Sequence, residues 1–338
     1  MNDIRPLLRR TAELASEYLE SLEDRPVFPQ VNADELRRSL GGPLPDGPTE
    51  PEEVVERLAA AADPGLVAMG SGRYFGFVIG GALPAALAAD WLASAWDQNA
   101  GLYVGGPSAS VVEQVVRDWV CDLLGLPADA SIGFVTGTQM GSVTALAAAR
   151  FRVLDRAGWD VGRDGLSGAP RVRVLVGEKR HVTIDRALRL LGLGAPEAVA
   201  ADAQGRMKAD ALRVALDSHE GPTIVCAQAG EVNTGSFDPF EEIAAATAEH
   251  GAWLHVDGAF GLWAAASPQL RGLVRGAERA DSWITDAHKW LNVPYDSALV
   301  LCADSEAHRA AMATTASYLI QDDSGAVYDQ MDWVPEFS

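Results

Sequence analysis

The sequence predicts an α/β fold, built as a mixed and mostly parallel seven-stranded sheet with helices on both faces. Short apolar runs alternate, in most cases, with amphipathic segments of helix length, which is the pattern of a largely parallel sheet. The last two runs are joined by only about ten residues, too few for a parallel crossover, so the final strand is expected to be antiparallel. The seven runs are residues 133–135, 172–177, 196–200, 223–227, 252–257, 282–286 and 297–302.

The chain is predicted to have two regions, an N-terminal helical segment with an arm (residues 1–83) and a large α/β domain (residues 84–338). A helical pattern continues to about Leu22. Residues 24–50 are then rich in Pro and Gly, as a linker or an extended arm would be. Two further helices are predicted within residues 83–126, separated by the stretch GLYVGGP.

Composition and charge exclude several classes of partner. The 338 residues include 47 acids and 27 Lys or Arg, which gives a formal net charge of −20. Such a charge repels phosphate backbones and anionic lipid surfaces, so nucleic acid and membrane are poor partners. The N-terminus lacks the apolar core of a signal peptide, and the longest uncharged apolar run, residues 74–89, is too short to span a bilayer. We therefore expect a cytoplasmic protein that acts on a small molecule.

The spacing of cysteines and histidines does not favour a metal site. Cys121, Cys226 and Cys302 are far apart and odd in number, so we expect buried free thiols in a reducing cytosol. The six histidines form neither an H-E-x-x-H motif nor a cluster with cysteine, which disfavours a metalloenzyme. The absence of a G-x-S-x-G motif likewise disfavours a serine hydrolase.

The turn after the first strand has the character of an anion-binding turn. In the stretch TGTQMGS, small residues at Gly137, Thr138 and Gly141 surround Gln139 directly before a predicted helix. The exposed N–H groups and the dipole of a helix N-terminus favour an anion such as phosphate. A tight strand-to-helix turn also favours glycine without any ligand. The turn matches neither the P-loop nor the dinucleotide fingerprint, so a nucleotide is not the expected anion.

Three further strands end close to side chains that could bind a ligand or take part in a reaction. His181 follows the second strand at the start of a helix, where a cap or a surface residue is the alternative. Asp257 ends the fifth strand, where a helix cap is the alternative, and His255 on the same side is interpreted as a structural residue. Lys289 follows the sixth strand in DSWITDAHKWLN. Ligands of such sheets bind outside the carboxyl ends of the strands, so these side chains are expected to share one site.

Together these groups are the parts that hold pyridoxal phosphate. Lys289 would bind the cofactor covalently through an amine made nucleophilic by partial desolvation. Asp257 would pair with the pyridinium nitrogen and keep it protonated. His181 would lie on one face of the ring, and the small Ala259 would allow close packing on the other. His288 would donate to the phosphate beside the turn described above.

The stretches HVDGAFG and DAHKW resemble the signature of the group II pyridoxal-phosphate-dependent decarboxylases. The similarity extends over nearly the whole chain, through RYFGFVIGGALPAALAADWL, GEVNTGSFDP and TTASYL. It implies the aspartate-aminotransferase fold, type I, and decarboxylation of an L-amino acid to an amine and CO2. The turn departs from the family pattern, because GTQMGS stands where residues like Gly-Gly-Ser/Thr-Glu-Ala-Asn are usual.

The resemblance also implies a substrate class and an assembly. Aromatic-amino-acid decarboxylases of this family have a tyrosine in a mobile catalytic loop, and Tyr318 stands at the matching place. A loop around residues 314–326, a proton donated by Tyr318 and an aromatic substrate are therefore expected. Family members exchange the N-terminal segment across a two-fold axis, which implies a homodimer.

Alternatives to this activity remain open. An aminotransferase or another lyase shares the fold and the cofactor residues, because a fold does not fix the reaction. A cofactor-free scaffold or regulatory subunit is the non-enzymatic alternative. The chain ends at Ser338, about where family members begin a C-terminal small domain, so we expect that domain to be absent. A truncated chain and a shortened homologue both agree with this expectation.

Overall fold

The predicted strand runs form one mixed sheet in the computed structural model, which describes residues 3–321 and 327–336. The strands are β1 (Ser131–Val135), β2 (Arg173–Gly177), β3 (Glu197–Val199), β4 (Thr223–Gln228), β5 (Trp253–Asp257), β6 (Ser282–Asp286) and β7 (Ala298–Cys302). Their order in the sheet is β1-β7-β6-β5-β4-β2-β3. Strands β2 to β6 pair in parallel, whereas β7 is antiparallel to both β1 and β6. The predicted mixed sheet and the antiparallel final strand are confirmed.

The chain divides into two units, Met1–Gly81 and Ala82–Ser338. The first contains helices α1 (Arg5–Ser21), α2 (Ala33–Leu40) and α3 (Pro51–Ala62). The predicted first helix is confirmed, but the prediction of a linker or extended arm over residues 24–50 is partly wrong. Asn32 and Glu35 form a capping box, in which each side chain accepts a hydrogen bond from the other residue's backbone N–H. This reciprocal bonding starts α2 within a segment rich in Pro and Gly.

In the second unit, helices cover both faces of the sheet, as predicted. The helices of the second unit are α4 (Pro84–Trp96), α5 (Pro107–Leu124), α6 (Thr138–Asp155), α7 (Val161–Asp164), α8 (Val182–Leu190), α9 (Ala209–Asp217), α10 (Phe240–Glu249) and α11 (Ser305–Met312). Successive side chains of β4 point to opposite faces of the sheet and pack in two separate apolar clusters. Val225 packs in one cluster with Phe240, and Ile224 packs in the other with Leu146 and Leu188. Complete burial of a Leu or Ile side chain contributes about 1.5 to 3 kcal/mol, so both faces stabilise the sheet.

The cysteines agree with the prediction of buried free thiols. Cys121, Cys226 and Cys302 are all buried and free. Burial raises the pKa of each thiol, which makes all three poor nucleophiles at neutral pH. In the part of the chain that the structure describes, no helix has the length and apolar character needed to cross a membrane.

Helix α6 lies close against strand β6. Gly141, in the first turns of α6, faces Ile284 of β6, and a Cβ atom at Gly141 would be 3.0 Å from Cγ2 of Ile284. At the other end of the helix, Arg152 donates to Asp304, the residue that caps α11, with an Nε to Oδ2 distance of 2.5 Å. This packing holds the N-terminus of α6 beside the carboxyl end of β6.

Gly141→Val is expected to lower the free energy of unfolding by about 1 to 3 kcal/mol, because the larger side chain must push α6 away from Ile284. Urea unfolding followed by circular dichroism measures this difference. Gly272→Val is the matched control, since a Cβ atom at Gly272 meets nothing within 4 Å. The control should change the unfolding free energy by less than about 0.5 kcal/mol. Equal losses in the two variants would contradict the close packing at Gly141.

Candidate active site

Lys289 lies in the turn after β6 and is held by an ion pair. Its Nζ atom is 2.8 Å from Oδ2 of Asp286, and the side chains of the two residues are 20% and 2% exposed, respectively. Removing two charges from water is costly, and only a close contact between them offsets that cost. The short distance of this ion pair therefore fixes the position of the amine. Asp286 was not predicted as a site residue, although it ends the same strand three residues before Lys289.

Asp286 also joins β6 to the start of α6. The backbone N–H of Thr138 donates to Oδ1 of Asp286 at 2.8 Å, and the Thr138 hydroxyl donates to Oδ2 at 2.9 Å. A carboxylate in this position satisfies a free N–H group of the helix and interacts favourably with its dipole. Gly137 precedes Thr138 as the N-cap residue. The predicted anion-binding turn therefore lies beside Lys289, and a carboxylate of the protein itself is bonded to it.

Two more contacts involve the same turn. Glu336 accepts hydrogen bonds from the N–H and the hydroxyl of Thr136, at 2.6 and 2.9 Å. Gln139 donates from Nε2 to the backbone carbonyl of Thr183 at 3.2 Å, which links α6 to α8. The Oε1 atom of Gln139 is buried and lacks a partner among the described residues. Glu336 was not predicted, because no local pattern connects it to a turn 200 residues earlier.

His288 is kept neutral and lies beside the turn. Its ring stacks on Tyr295 with a centroid separation of 4.1 Å. The N–H of Ser297 donates to Nδ1 at 3.0 Å, so the proton of the neutral ring is on Nε2, which lies 3.4 Å from Oδ1 of Asp286. Burial lowers the pKa of His288, and the charge of Asp286 opposes this effect. A Cβ atom on Gly137 would be 3.7 Å from the His288 ring.

Asp257 is a buried carboxyl group with few partners among the residues that the structure describes. It ends β5 with 5% of its surface exposed. Its Oδ1 atom accepts a hydrogen bond from the N–H of Ala259 at 3.2 Å. Burial raises the pKa of Asp257, while the nearby charges of His181 and Lys289 lower it and that of Asp286 raises it. The side chains of His181, Lys289 and Asp286 therefore lie within electrostatic range of Asp257. Asp257 is not a helix cap in the structure, because its hydrogen bond to the N–H of Ala259 lies within a turn.

His181 begins α8 as its N-cap residue, as the alternative interpretation proposed. Its Nδ1 accepts from the N–H of Thr183 at 3.4 Å. Its own backbone N–H donates to Oε1 of Gln228 at 3.2 Å. Gln228 ends β4 directly opposite Asp257 in the sheet register, so this hydrogen bond places the backbone of His181 beside the site.

Tyr318 is not part of this cluster in the structure. Its side chain is 82% exposed. Residues 322–326 of the predicted catalytic loop lie outside the described residues. His255, which was predicted to be structural, is fully buried with Nδ1 2.9 Å from the Ser282 hydroxyl, and burial lowers its pKa to about 3.

Most of the chain matches one family in comparisons with known proteins. The family described as "Pyridoxal-dependent decarboxylase conserved domain" matches residues 34–338. The chain is 28% identical to Tryptophan decarboxylase 1 of Oryza sativa subsp. japonica, over 98% of this chain and 68% of that protein. It is also 28% identical to the Aromatic-L-amino-acid decarboxylase of Bacillus atrophaeus, over 90% of this chain and 62% of that protein. The chain thus spans about two thirds of the length of these relatives.

A solved structure gives the same fold. The crystal structure of Oryza sativa TDC with PLP and tryptamine superimposes with a TM-score of 0.90 at 28% identity. The match covers 99% of this chain and 71% of that chain. The predicted type I fold is confirmed by this similarity.

Asp257→Asn should stabilise the cofactor-free protein at neutral pH. Because burial raises the pKa of Asp257, the parent loses stability as the pH rises through that raised pKa, whereas an amide does not titrate. We expect the free energy of unfolding at pH 7.5 to increase by about 1 to 3 kcal/mol, and the gain to shrink as the pH is lowered.

Urea unfolding at several pH values measures this gain. Asp118→Asn is the control, since the Asp118 side chain is 62% exposed and should contribute less than about 0.5 kcal/mol. A less stable Asp257→Asn protein would mean that the carboxylate already has adequate partners inside the fold.

Proposed function

Because the chain belongs to the pyridoxal-dependent decarboxylase family, we propose that it uses pyridoxal phosphate to decarboxylate an L-amino acid to the amine and CO2. We further propose an aromatic substrate, since the two relatives described above are named for tryptophan and for aromatic L-amino acids. The observation that carries the proposal is the poorly partnered, buried Asp257 within electrostatic range of Lys289.

Asp257 fits the ring of the cofactor. A buried carboxyl group with one backbone donor at 3.2 Å is costly to keep ionised. A protonated pyridine nitrogen supplies both a hydrogen-bond donor and a positive charge, which would restore the ordinary ionisation of Asp257. The amine of Lys289, in the turn after β6 and within electrostatic range of Asp257, fits the aldehyde of the same molecule.

Each site residue has a proposed role toward the cofactor. Lys289 binds it covalently, Asp257 binds the ring nitrogen, and His181 and Ala259 flank the ring. The phosphate is held at the start of α6 and by the neighbouring imidazole, that is by Gly137, Thr138, Gln139 and His288. When bound, the cofactor serves as the electron sink for loss of CO2. The residues of the chain orient the substrate, exclude water and move protons.

The experiment that tests the activity is a screen of L-amino acids for CO2 release by the protein loaded with pyridoxal phosphate. We expect release from aromatic amino acids, and none above background from Lys289→Met, which lacks the amine. A 2-oxo acid formed without CO2 would favour the aminotransferase alternative. Failure of every amino acid to release CO2 would contradict the proposed activity and favour a scaffold.

Tyr318 is proposed to deliver the proton that completes formation of the amine. Its phenol is 82% exposed, so this role requires the loop that carries it to close over the bound substrate. Closure would also exclude water from the reacting atoms.

Tyr318→Phe should bind the cofactor as the parent does but release amine at least about 100-fold more slowly, because phenylalanine keeps the ring and lacks the acidic proton. Chromatographic measurement of the amine, together with a cofactor titration, separates the two effects. Tyr103→Phe is the control, because Tyr103 lies in the short helix before α5 and is not among the proposed site residues. Amine release at the parent rate would show that Tyr318 is not the proton donor.

We also propose a homodimer, in part because α4 and α5 have an uncovered apolar face. Trp91 and Trp96 of α4 are 43% and 63% exposed, and Val112 and Trp119 of α5 are 58% and 68% exposed. Large exposed apolar side chains of this kind indicate an interaction site, and a two-fold axis allows one surface to cover its own copy. In the first unit, α1 also has exposed apolar side chains, such as Leu8.

Trp119→Glu should weaken the dimer at least about 30-fold, since it places a charge where a large aromatic side chain would be buried. Sedimentation velocity over a range of concentrations measures the dissociation constant. Val214→Glu is the matched control, because Val214 on α9 is equally exposed, at 70%, but is not on this face. A parent protein that stays monomeric at every concentration would contradict the proposed dimer.

The proposed location is the cytoplasm. The three free, buried cysteines agree with a reducing compartment. The proposed partner is a small-molecule amino acid, and the net charge of −20 argues against nucleic acid.

A further inference from the structure

The turn before α6 is bonded to two carboxylates of the protein. The N–H and hydroxyl of Thr138 donate to Asp286, and those of Thr136 donate to Glu336. Further along the helix, the N–H groups of Met140 and Gly141 donate to the carbonyl of Gly137 at 2.9 and 3.0 Å. The N–H and the hydroxyl of Thr138, which an external phosphate would use at this turn, therefore already have partners.

Asp286 contacts three of the groups that we propose for cofactor binding. Its carboxylate is 2.8 Å from the Lys289 amine, 2.8 Å from the Thr138 N–H and 3.4 Å from Nε2 of His288. The side chain is 2% exposed, so water screens its charge little. One buried carboxylate thus occupies the covalent attachment point and two phosphate donors at the same time.

We propose that the Asp286 carboxylate takes the place of the cofactor phosphate at the start of α6 and thereby sets the affinity of the chain for phosphate-bearing ligands. This inference rests on the proposed function, because it takes Lys289 and Thr138 as cofactor-binding residues. A phosphate must share or displace the donors that Asp286 uses, and two anions in one poorly hydrated space repel each other. Asp286 is in this sense a positioning residue, since it orders the amine and the helix N-terminus before a ligand arrives.

The Asp286→Asn variant separates charge from shape. Asparagine can still accept the N–H of Thr138 through its side-chain oxygen, so the start of α6 remains capped. It has no negative charge to repel phosphate. The variant should therefore bind inorganic phosphate and pyridoxal phosphate more tightly. Its affinity for pyridoxal, which lacks the phosphate, changes only through the lost ion pair with Lys289.

The readout is the ratio of the dissociation constants for pyridoxal and pyridoxal phosphate, measured by absorbance titration of the cofactor-free protein. We expect this ratio to rise at least ten-fold in Asp286→Asn relative to the parent. Asp118→Asn is the matched control, because it removes the same charge from an exposed residue of α5, and its ratio should equal that of the parent. Asp286→Ser makes the same charge change with a smaller side chain and replaces Asp286→Asn if the latter does not fold.

A ratio that is unchanged or lower in the Asp286 variants would overturn the inference. Borohydride reduction and peptide mapping test the proposed function separately, and the chain offers only Lys179, Lys208 and Lys289 as sites. A label on a lysine other than Lys289 would refute the cofactor assignment. Thermal unfolding with added inorganic phosphate then still tests Asp286, because phosphate should stabilise Asp286→Asn more than the parent. Equal stabilisation of the two proteins would overturn the inference without reference to the cofactor.

Discussion

The Asp286 carboxylate connects the parts of the molecule on which the site depends. It ends β6, binds the first residue of α6 and holds the Lys289 amine, with oxygen to nitrogen distances of 2.8 Å to both Thr138 and Lys289. A buried carboxylate needs several donors, so the positions of the helix, the strand and the lysine depend on one another. Because β5 is the parallel neighbour of β6, the same edge brings Asp257 within electrostatic range.

The sheet could be predicted because its signals are local. Alternating strand and helix patterns place all seven strands, and the short connection before β7 predicts its antiparallel direction. Helix α2 was missed although its capping signal is also local, since the surrounding Pro and Gly residues suggested an arm. The reciprocal bonds of Asn32 and Glu35 outweigh that composition over eight residues, Ala33–Leu40.

The site could be predicted only where a strand end marks it. Lys289, Asp257 and His181 follow the sixth, fifth and second strands, and topology brings such ends to one edge. The partner of the anion-binding turn was missed although Asp286 also ends a strand, because the sequence does not show which strand end, 148 residues away, reaches Thr138. Their contact depends on how closely α6 packs against β6, which is a property of the folded core.

The two buried carboxylates relate stability to the proposed activity. Asp257 lies in a poorly hydrated position that a cofactor ring would complete, and Asp286 satisfies groups that a phosphate would otherwise use. The most direct test is a crystal structure of the chain with pyridoxal phosphate. We predict continuous electron density from Lys289 Nζ to the cofactor, with the Asp257 carboxylate in hydrogen-bond distance of the ring nitrogen. A cofactor bound elsewhere, with the ion pair between Lys289 and Asp286 intact, would contradict the proposed site.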